Sequence, residues 1–291
     1  MNDHFETLDP RKYGWLLQSL RNIHGNDVFE VRAPILWPGM AEGSFNLNFH
    51  GKIARLARSN ALYLLMMASK YGNCYLIQKS FRQEKEYSPF HLSEFDLFDC
   101  CLCNVDFEQL IDKTEQMLRL LLKNAKTEFP DSCKAILPDS AFKRYEWKEL
   151  FSLYEGFSEI SFKRTPGKEL LQLHQEPFFI TNIPQQLSSS WLVKKDQNNQ
   201  LCSFDLFLPG VGEVFEGSER PNSKKEYVSL FSQSPNLHKK FKWLLDEFTD
   251  VEGPISIYGC GIERLAMWLF GIKDINLIQK IYRKAYFSEL P

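Results

Sequence analysis

Two arginines stand in sequence surroundings that suit the binding of a polyphosphate. Arg82 follows an apolar run and precedes Glu84 by two positions, and Arg264 follows the glycines Gly259 and Gly261. A guanidinium binds phosphate and carboxylate oxygens bidentately. Glycines at a helix start let the backbone approach a ligand. The two segments therefore predict a site that holds a polyphosphate beside a carboxylate.

The arginine at position 82 is expected on a strand with its neighbouring glutamate. Residues two apart on a strand point to the same side of the sheet. Arg82 and Glu84 are therefore predicted to line one cleft. A lone pair of spaced glycines would be weak support for the second segment. The longer run Gly259–Leu265, followed by apolar periodicity and Gly271, is more specific.

A pair of acids lies between these two segments. Asp205 and Glu213 are joined by Leu-Phe-Leu-Pro-Gly-Val-Gly, which reads as a turn between two strands. Carboxylates that reach one point suit Mg²⁺. The alternative interpretation is two surface acids on either side of a turn.

The composition is that of a globular protein. The chain has 291 residues, of which 44% are hydrophobic and 14% aromatic. The formal net charge of −2 provides no general basic field for nucleic acid. No apolar run approaches the roughly 20 residues of a membrane helix, and the N-terminus lacks an apolar signal core. We therefore expect a cytoplasmic protein with no membrane partner.

The cysteine cluster favours a structural interpretation over a metal site. Cys100, Cys101 and Cys103 stand in the apolar run Asp-Leu-Phe-Asp-Cys-Cys-Leu-Cys, without paired CxxC spacing or a neighbouring histidine. Zinc sites normally show such spacing. We predict reduced cysteines on a strand.

Periodicity and turn residues predict the order of elements. Helices are predicted at residues 11–25, 59–71, 107–127, 147–153 and 237–248 and after Gly261. Strands are predicted from Val28 to near Pro34, at 74–83, 94–105, 178–181 and 255–258, and on both sides of the turn 196–199. The order fits a single α+β domain, residues 1–291, around an antiparallel sheet.

The two arginine segments resemble motifs 2 and 3 of the class II aminoacyl-tRNA synthetases. The helix, strand and proline of residues 11–34 resemble motif 1, which builds the dimer interface in that family. Residues 205–220, with 29–36 and 177–184, are similar to the asparaginyl branch of the asparaginyl/aspartyl enzymes. The resemblance covers essentially the whole chain as a catalytic core. It implies an antiparallel sheet flanked by helices and a homodimer.

The resemblance also assigns roles around ATP and Mg²⁺. Arg82 would hold the α-phosphate and the carboxylate being activated, and Arg264 the γ-phosphate, as the two catalytic residues. Glu84 would orient the adenine end and His91 would meet the outer phosphates. Phe95 would stack on adenine, unless it is a core aromatic. The remaining ATP and metal contacts would be Gly261, Glu213 and Asp205, the last two holding Mg²⁺.

The amino-acid pocket matches the family only in part. Glu42, Ser59, Asp99 and Arg220 match substrate-contacting positions. Glu42 and Asp99 would meet the α-amino group, and Arg220 a side-chain carboxylate or amide.

Other positions of this pocket depart from the family. Ala61 stands where the family has a glutamine that helps hold the α-amino group, and Leu64 stands where the aspartyl enzymes have a lysine. Pro254–Ile257 stands where the family has a glycine-rich stretch. Phe90 stands where the family has an arginine before the loop histidine. ATP binding is expected to be kept and the amino-acid side to be rebuilt.

These observations predict an ATP-dependent ligase. It would activate an aspartate- or asparagine-like amino acid as an aminoacyl adenylate and transfer it to an acceptor other than tRNA. The anticodon-binding domain of about 100 residues is expected to be absent. The alternatives are asparagine synthesis from aspartate, ATP and ammonia, a non-catalytic regulatory paralogue, and tRNA aminoacylation.

Overall fold

The computed structural model describes residues 7–39, 43–84, 88–152, 175–185, 192–232 and 235–278. The helices are α1 (Pro10–Asn22), α2 (Ala61–Tyr71), α3 (Phe107–Glu128), α4 (Trp147–Ser152), α5 (Lys224–Ser232), α6 (Pro235–Glu247) and α7 (Ile262–Phe270). The strands are β1 (Phe29–Glu30), β2 (Leu36–Pro38), β3 (Asn46–Phe49), β4 (Lys52–Leu56), β5 (Cys74–Phe81), β6 (Glu94–Cys103), β7 (Lys143–Glu146), β8 (Phe178–Thr181), β9 (Ser203–Leu208), β10 (Gly212–Arg220) and β11 (Ile255–Gly261).

An eight-stranded sheet organises the protein, in the order β1-β5-β6-β11-β10-β9-β8-β7. The six central strands are antiparallel, which confirms the predicted fold class. The edge strands β1 and β7 each pair in parallel with their neighbour. A second, three-stranded sheet in the order β2-β4-β3 was not predicted.

One face of the large sheet forms the main core. Side chains such as Phe98, Phe204, Phe215 and Tyr258 pack there against helices α1, α3 and α7. Helix α3 begins with a capping box, in which Asp106 and Gln109 satisfy each other's backbone N–H groups. Such reciprocal capping fixes a helix start. The side chains on this face are apolar, and three amphipathic helices bury them.

The opposite face divides into two apolar ends. Between them lies a polar strip that includes Gln78, Asp99, Glu216 and Asp205. At one end, α2, α5 and α6 pack on Cys74, Leu76 and Ile257. At the other end, α4 packs on Phe178 and Phe207. The polar strip is the part of this face that can receive a ligand.

The predicted strand from Val28 to near Pro34 is wrong in extent. Only Phe29–Glu30 pairs with β5, and Leu36–Pro38 belongs to the second sheet. The Val31 N–H still donates to the Tyr75 carbonyl at 2.8 Å. The Ala33 N–H then donates to the side chain of Gln78 at 3.0 Å instead of to the backbone of β5, and Pro34 has no N–H to continue a ladder.

The turn predicted at residues 196–199 is confirmed, as is the strand predicted after it, β9. In this turn the Asp196 carboxylate accepts the backbone N–H groups of Asn198 and Gln200, both at 2.8 Å. A single bridge joins Lys195 and Leu201. The aspartate satisfies the backbone of the turn locally, and the Cys202 N–H donates to the Lys194 carbonyl at 2.9 Å beyond it.

The cysteine prediction is confirmed. Cys100 and Cys101 are buried on β6 as free thiols, and Cys103 at its end is also free. Burial raises the pKa of the Cys101 thiol well above its usual value. No helix in the described part of the chain is long and apolar enough to cross a membrane.

Candidate active site

A row of carboxylates crosses the polar strip. Asp99 on β6 is opposite Gly259 on β11, which is opposite Glu216 on β10. Glu216 is in turn opposite Asp205 on β9. Directly opposed residues of antiparallel strands share a face. Three acids therefore stand in one line, with a glycine between the first two.

Gly259 provides the space that the Asp99 side chain occupies. A Cβ atom at position 259 would lie 2.1 Å from Asp99 Oδ1, a distance that no side chain tolerates. At Gly261, the N-cap of α7, an added Cβ would meet no described atom within 4 Å. The first glycine therefore admits a carboxylate, and the second leaves open space at the helix start.

Asp99 is a buried acid with an unusual protonation equilibrium. Its side chain is 7% exposed, and its Oδ2 has no hydrogen-bond partner among the described residues. Burial, followed by the charge of Glu216, raises the pKa of Asp99 to about 7, against the opposing effect of Arg82 and Arg220. A positively charged group beside Asp99 would favour its ionised form.

The structure brings Arg220 to the same end of the polar strip. Arg220 follows Glu216 by four positions on β10 and therefore shares its face. Its buried guanidinium donates from Nη1 to the Leu192 carbonyl at 2.8 Å. Burial lowers the pKa of Arg220, whereas the nearby charges of Glu216 and Asp99 favour its protonated form. Two predicted amino-acid contacts, Asp99 and Arg220, are thus neighbours.

Of the other two predicted amino-acid contacts, one is among the described residues. Ser59 is exposed, and its Oγ accepts the Ala61 N–H at 3.2 Å, which supports the start of α2. Glu42 lies outside the described residues.

Arg82 lies directly after the end of β5. Its N–H donates to the Ser93 carbonyl at 2.9 Å, and its guanidinium carbon is 5.1 Å from the centre of the Phe95 ring. The predicted strand alternation through Glu84 is wrong, because β5 ends at Phe81 and the Glu84 N–H donates to the Arg82 carbonyl at 3.0 Å. The chain turns here instead of continuing the ladder.

Arg264 projects from the first turn of α7 towards the same region. Its Nε donates to the Phe90 carbonyl at 3.0 Å, and its Nη1 donates to the Glu213 carbonyl. Burial lowers the pKa of Arg264, and the neighbouring charges of Glu213 and Arg82 act in opposite directions. The two arginines, from distant parts of the sequence, are therefore close enough for their charges to interact.

His91 completes the basic end of the polar strip. Its Nδ1 is 2.8 Å from Ser88 Oγ. Burial, then the charges of Arg264 and Arg82, lowers the pKa of His91 to about 4. The imidazole is therefore neutral at pH 7. An anionic ligand that neutralised the two arginines would raise this pKa.

The predicted metal acids are near one another on the same face. Asp205 on β9 is two positions from Phe207, which is opposite the exposed Glu213 on β10. Such diagonal neighbours are within about 8 Å of each other. In the described ranges no group of three or more His, Cys, Asp or Glu side chains is arranged to hold a metal. Two carboxylates fit a Mg²⁺ ion that takes its other ligands from phosphates and water.

Sequence reasoning missed two polar residues of the strip, Glu216 and Gln78. Gln78 on β5 is 9% exposed, and its Nε2 has no hydrogen-bond partner among the described residues. The missed signal was the alternation of Glu216, Ser218 and Arg220 along one strand, which places the glutamate on the face of Arg220.

The family pattern described as tRNA synthetases class II (D, K and N) matches residues 15–281. The chain belongs to this family. It is 28% identical over 291 residues to a probable cytoplasmic asparagine–tRNA ligase of Enterocytozoon bieneusi, covering 90% of this chain and 62% of the relative. It is 26% identical to the cytoplasmic asparagine–tRNA ligase of Saccharomyces cerevisiae, covering 90% and 52%. The chain thus spans between about half and two thirds of the length of these relatives.

Solved structures show the same fold. The asparaginyl-tRNA synthetase of Entamoeba histolytica has a TM-score of 0.84 at 22% identity, covering 96% of this chain and 68% of that one. The asparaginyl-tRNA synthetase of Pyrococcus horikoshii complexed with asparaginyl-adenylate has a TM-score of 0.81 at 23% identity, covering 97% and 69%. These similarities establish the class II synthetase fold of the large sheet.

Proposed function

We propose that the chain activates an amino acid of the aspartate or asparagine type with ATP, forming an aminoacyl adenylate and pyrophosphate. The observation that carries this proposal is the convergence of Arg82 and Arg264 at one end of the polar strip, with the carboxylate row at the other. A guanidinium pair suits phosphates and an acid row suits an ammonium.

The chain's own residues would promote the reaction by position and charge. Arg82 would hold the amino-acid carboxylate against the α-phosphate, and Arg264 would bind the outer phosphates. Asp99 would hold the α-amino group. In-line attack of the carboxylate on the α-phosphate needs no covalent enzyme intermediate. Mg²⁺ held by Asp205 and Glu213 would neutralise phosphate charge.

The remaining assignments are part of the same proposal. Glu84, Phe95, His91 and Gly261 would complete the ATP site, with Phe95 stacking on adenine after Arg82 moves to the phosphate. Ser59 and Arg220 would contact the amino acid, the arginine at its side chain. We further propose a cytoplasmic location, which the names of the relatives support.

The experiment that tests adenylate formation is amino-acid-dependent exchange of pyrophosphate into ATP, across a panel with aspartate, asparagine and amino-bearing analogues. Exchange with one compound supports the proposal and identifies the substrate. If ATP binds but no compound supports exchange, the non-catalytic alternative replaces it.

The acceptor is proposed to be an amine or carrier other than tRNA, because the formal net charge of −2 provides no general basic field for a polyanion. The second candidate is tRNA aminoacylation, which the names of the relatives favour. Incubation of the adenylate with tRNA or with small amines separates the two. Transfer to tRNA alone would contradict the proposed acceptor.

We also propose a homodimer through the motif 1 region. Four large apolar side chains in this region or shortly after it in the chain are exposed: Phe29, Ile35, Phe49 and Ile53. Exposed apolar clusters mark interaction surfaces. Light scattering on the purified chain tests this proposal, and a monomer at micromolar concentration would contradict it.

A further inference from the structure

Gln78 supplies a hydrogen-bond donor to the polar strip that none of the roles proposed above uses. Gln78 is 9% exposed, and its Nε2 has no hydrogen-bond partner among the residues that the structure describes. An amide nitrogen carries two N–H donors, and a buried donor without an acceptor is costly. The buried amide therefore indicates that a ligand brings an acceptor to this place.

The orientation of this amide is set from its other end. Gln78 Oε1 accepts the Ala33 backbone N–H at 3.0 Å. An N–H donates to the oxygen of an amide and not to its nitrogen. The segment after β1 thus anchors the side chain through its oxygen and leaves Nε2 as the donor.

The strand register places Gln78 between the two groups proposed to hold the amino acid. Gln78 is opposite Leu97 on β6, and Asp99 is two positions from Leu97, so the three side chains share a face. The guanidinium carbon of Arg82 is 5.1 Å from the centre of the Phe95 ring, and Phe95 is two positions from Leu97 in the other direction. Along β6 the order is therefore Asp99, then Gln78, then the guanidinium.

A substrate held at both of these groups must pass over Gln78. Two residues along a strand span roughly 7 Å, so Gln78 is one such step from the position of Asp99. The charge of Arg82 acts on Asp99 across this gap. An amino acid with its α-amino group at Asp99 and its carboxylate at Arg82 therefore has the start of its acyl group over Gln78.

The positions paired with Gln78 provide space but no polar side chain. Leu97 is apolar, and its partner on β11 is Gly261. An added Cβ at Gly261 would meet no described atom within 4 Å. Of these three paired positions, only Gln78 carries a hydrogen-bonding side chain, and it lies beside open space.

We infer that Gln78 binds the acyl oxygen of the substrate, donating from Nε2 to the carboxylate oxygen that does not attack ATP. This inference rests on the proposed adenylate-forming function. In that reaction one carboxylate oxygen forms a bond to the α-phosphorus, and pyrophosphate leaves with the electron pair of the broken P–O bond. The other oxygen becomes the carbonyl oxygen of the adenylate. Gln78 holds this oxygen before and after the step and thereby orients the attacking carboxylate.

The test compares two stable ligands by calorimetry on the full chain. One is the asparagine acylsulfamoyl adenosine, in which a sulfamate replaces the phosphate and the acyl C=O is kept. The other is the adenylate ester of asparaginol, in which CH₂ replaces C=O. Each ligand has one negative charge between its amino-acid and ribose parts, and the aspartate pair is measured in the same way. We expect wild type to bind the acyl ligand about 10-fold tighter than its CH₂ counterpart, as for one hydrogen bond.

Two variants at position 78 are crossed with the two ligands. Gln78→Met removes the amide with little change in length. Gln78→Glu keeps an oxygen for the Ala33 N–H and, at pH 9, has an ionised carboxylate without a donor, so it serves if Gln78→Met does not fold. Gln18→Met is the matched control, because Gln18 is exposed on α1. If the amide contacts the acyl oxygen, the two losses are not additive: we expect the preference for the acyl ligand to vanish in the position-78 variants and to persist in Gln18→Met.

Kinetics separate a substrate contact from a purely structural role at Ala33. In the exchange assay we expect Gln78→Met to raise the KM of the amino acid about 10-fold and to leave the KM of ATP unchanged. Disturbance of the end of β5 would change both constants, because Arg82 follows that end.

The outcomes distinguish this contact from the proposed function. Equal affinity of wild type for the two ligands, or a preference that the position-78 variants retain, overturns the Gln78 contact. Adenylate formation still stands in that case if pyrophosphate exchange is observed. A preference that depends on Gln78, without exchange for any amino acid, supports the contact and contradicts adenylate formation.

Discussion

The two ends of the polar strip are built on different principles. At the basic end, Arg264 is held by main-chain carbonyls and Arg82 lies over an aromatic ring. At the acidic end, Asp99 is buried against a glycine, and its Oδ2 has no hydrogen-bond partner among the residues that the structure describes. At the basic end the backbone therefore fixes Arg264, whereas the position of Arg82 depends on the Phe95 side chain. The acidic end depends on close packing, so single atoms there decide what binds.

The largest effect is expected at the basic end, from Arg264→Ala. Removal of a positioned charge at a developing phosphate charge costs about 100-fold or more in rate. We expect pyrophosphate exchange to fall by at least this factor with the fold retained. The matched control is Arg11→Ala, because the Arg11 side chain is 89% exposed and pairs with its neighbour Asp9. Exchange at the wild-type rate in a folded Arg264→Ala protein would remove Arg264 from the reaction.

Substitution of Gly259 tests whether close packing decides what binds at the acidic end. Gly259→Ala would place a Cβ 2.1 Å from Asp99 Oδ1 and 3.0 Å from the Phe98 carbonyl. We expect the carboxylate to move and the KM of the amino acid to rise about 10-fold or more, as for a lost charge-assisted contact, with ATP binding retained. Overpacking should also destabilise the protein by about 1–3 kcal/mol.

The control for this substitution is Gly14→Ala in α1, where an added Cβ would meet nothing within 4 Å. A glycine in a helix interior is less favourable than alanine by about 1 kcal/mol, so this variant should be neutral or slightly stabilised. Steady-state kinetics and urea unfolding measure both variants. Equal kinetic effects of the two would show that Asp99 does not depend on Gly259.

A pH-dependent stability difference is expected for Asp99→Asn. The folded-state pKa of Asp99 is raised from 3.8 to about 7, so the native state binds more protons than the unfolded state between these values. The free energy of unfolding of the wild type therefore falls as pH rises through this window. Asparagine does not titrate, so the variant should be more stable than the wild type at pH 8 by roughly 1–3 kcal/mol.

Urea unfolding at pH 4 and pH 8 measures this difference, which should be smallest at the acidic pH. Glu263, whose pKa is also raised to about 7 by burial, is present in both proteins and cancels in the comparison. Amino-acid affinity should fall in the variant, because the α-amino group loses its charged partner. A variant that is less stable than the wild type at pH 8 would show that Asp99 is paired in the native state.

The basic end was more predictable from sequence than the acidic end, for a physical reason. Arg82 and Arg264 stand beside local signals, an apolar strand and a glycine-led helix, whose structures are confirmed by β5 and α7. The extension of the strand to Glu84 failed because a local backbone hydrogen bond turns the chain. Such a bond has no sequence signal comparable to strand alternation.

The acidic row depends on register between distant strands. Glu216 lies beside Gly259 and Asp205 only because β10 pairs with β11 and β9 in one register, and a bulge shifts that register between Glu213 and Phe215. A shift of one residue would move every side chain to the other face. Sequence alone could therefore predict the strands and not which acids meet.

The smallest effect is expected from Ala61→Gln, which restores the family residue at the start of α2. Ala61 is half-buried and its N–H donates to Ser59 Oγ, so a longer side chain can extend from the helix start with little change in stability. We expect the relative kcat/KM for aspartate or asparagine to rise severalfold over other amino acids, in the range of one added hydrogen bond of about 1 kcal/mol.

Exchange assays with the same panel measure the change, and Ala61→Met, a side chain of similar length without an amide, is the matched control. If both variants shift preference equally, the effect comes from volume and the amide makes no contact. If Ala61→Gln only lowers the melting temperature, the helix start does not border the amino-acid end, and the comparison of the two ends must rest on Asp99, Glu216 and Arg220 alone.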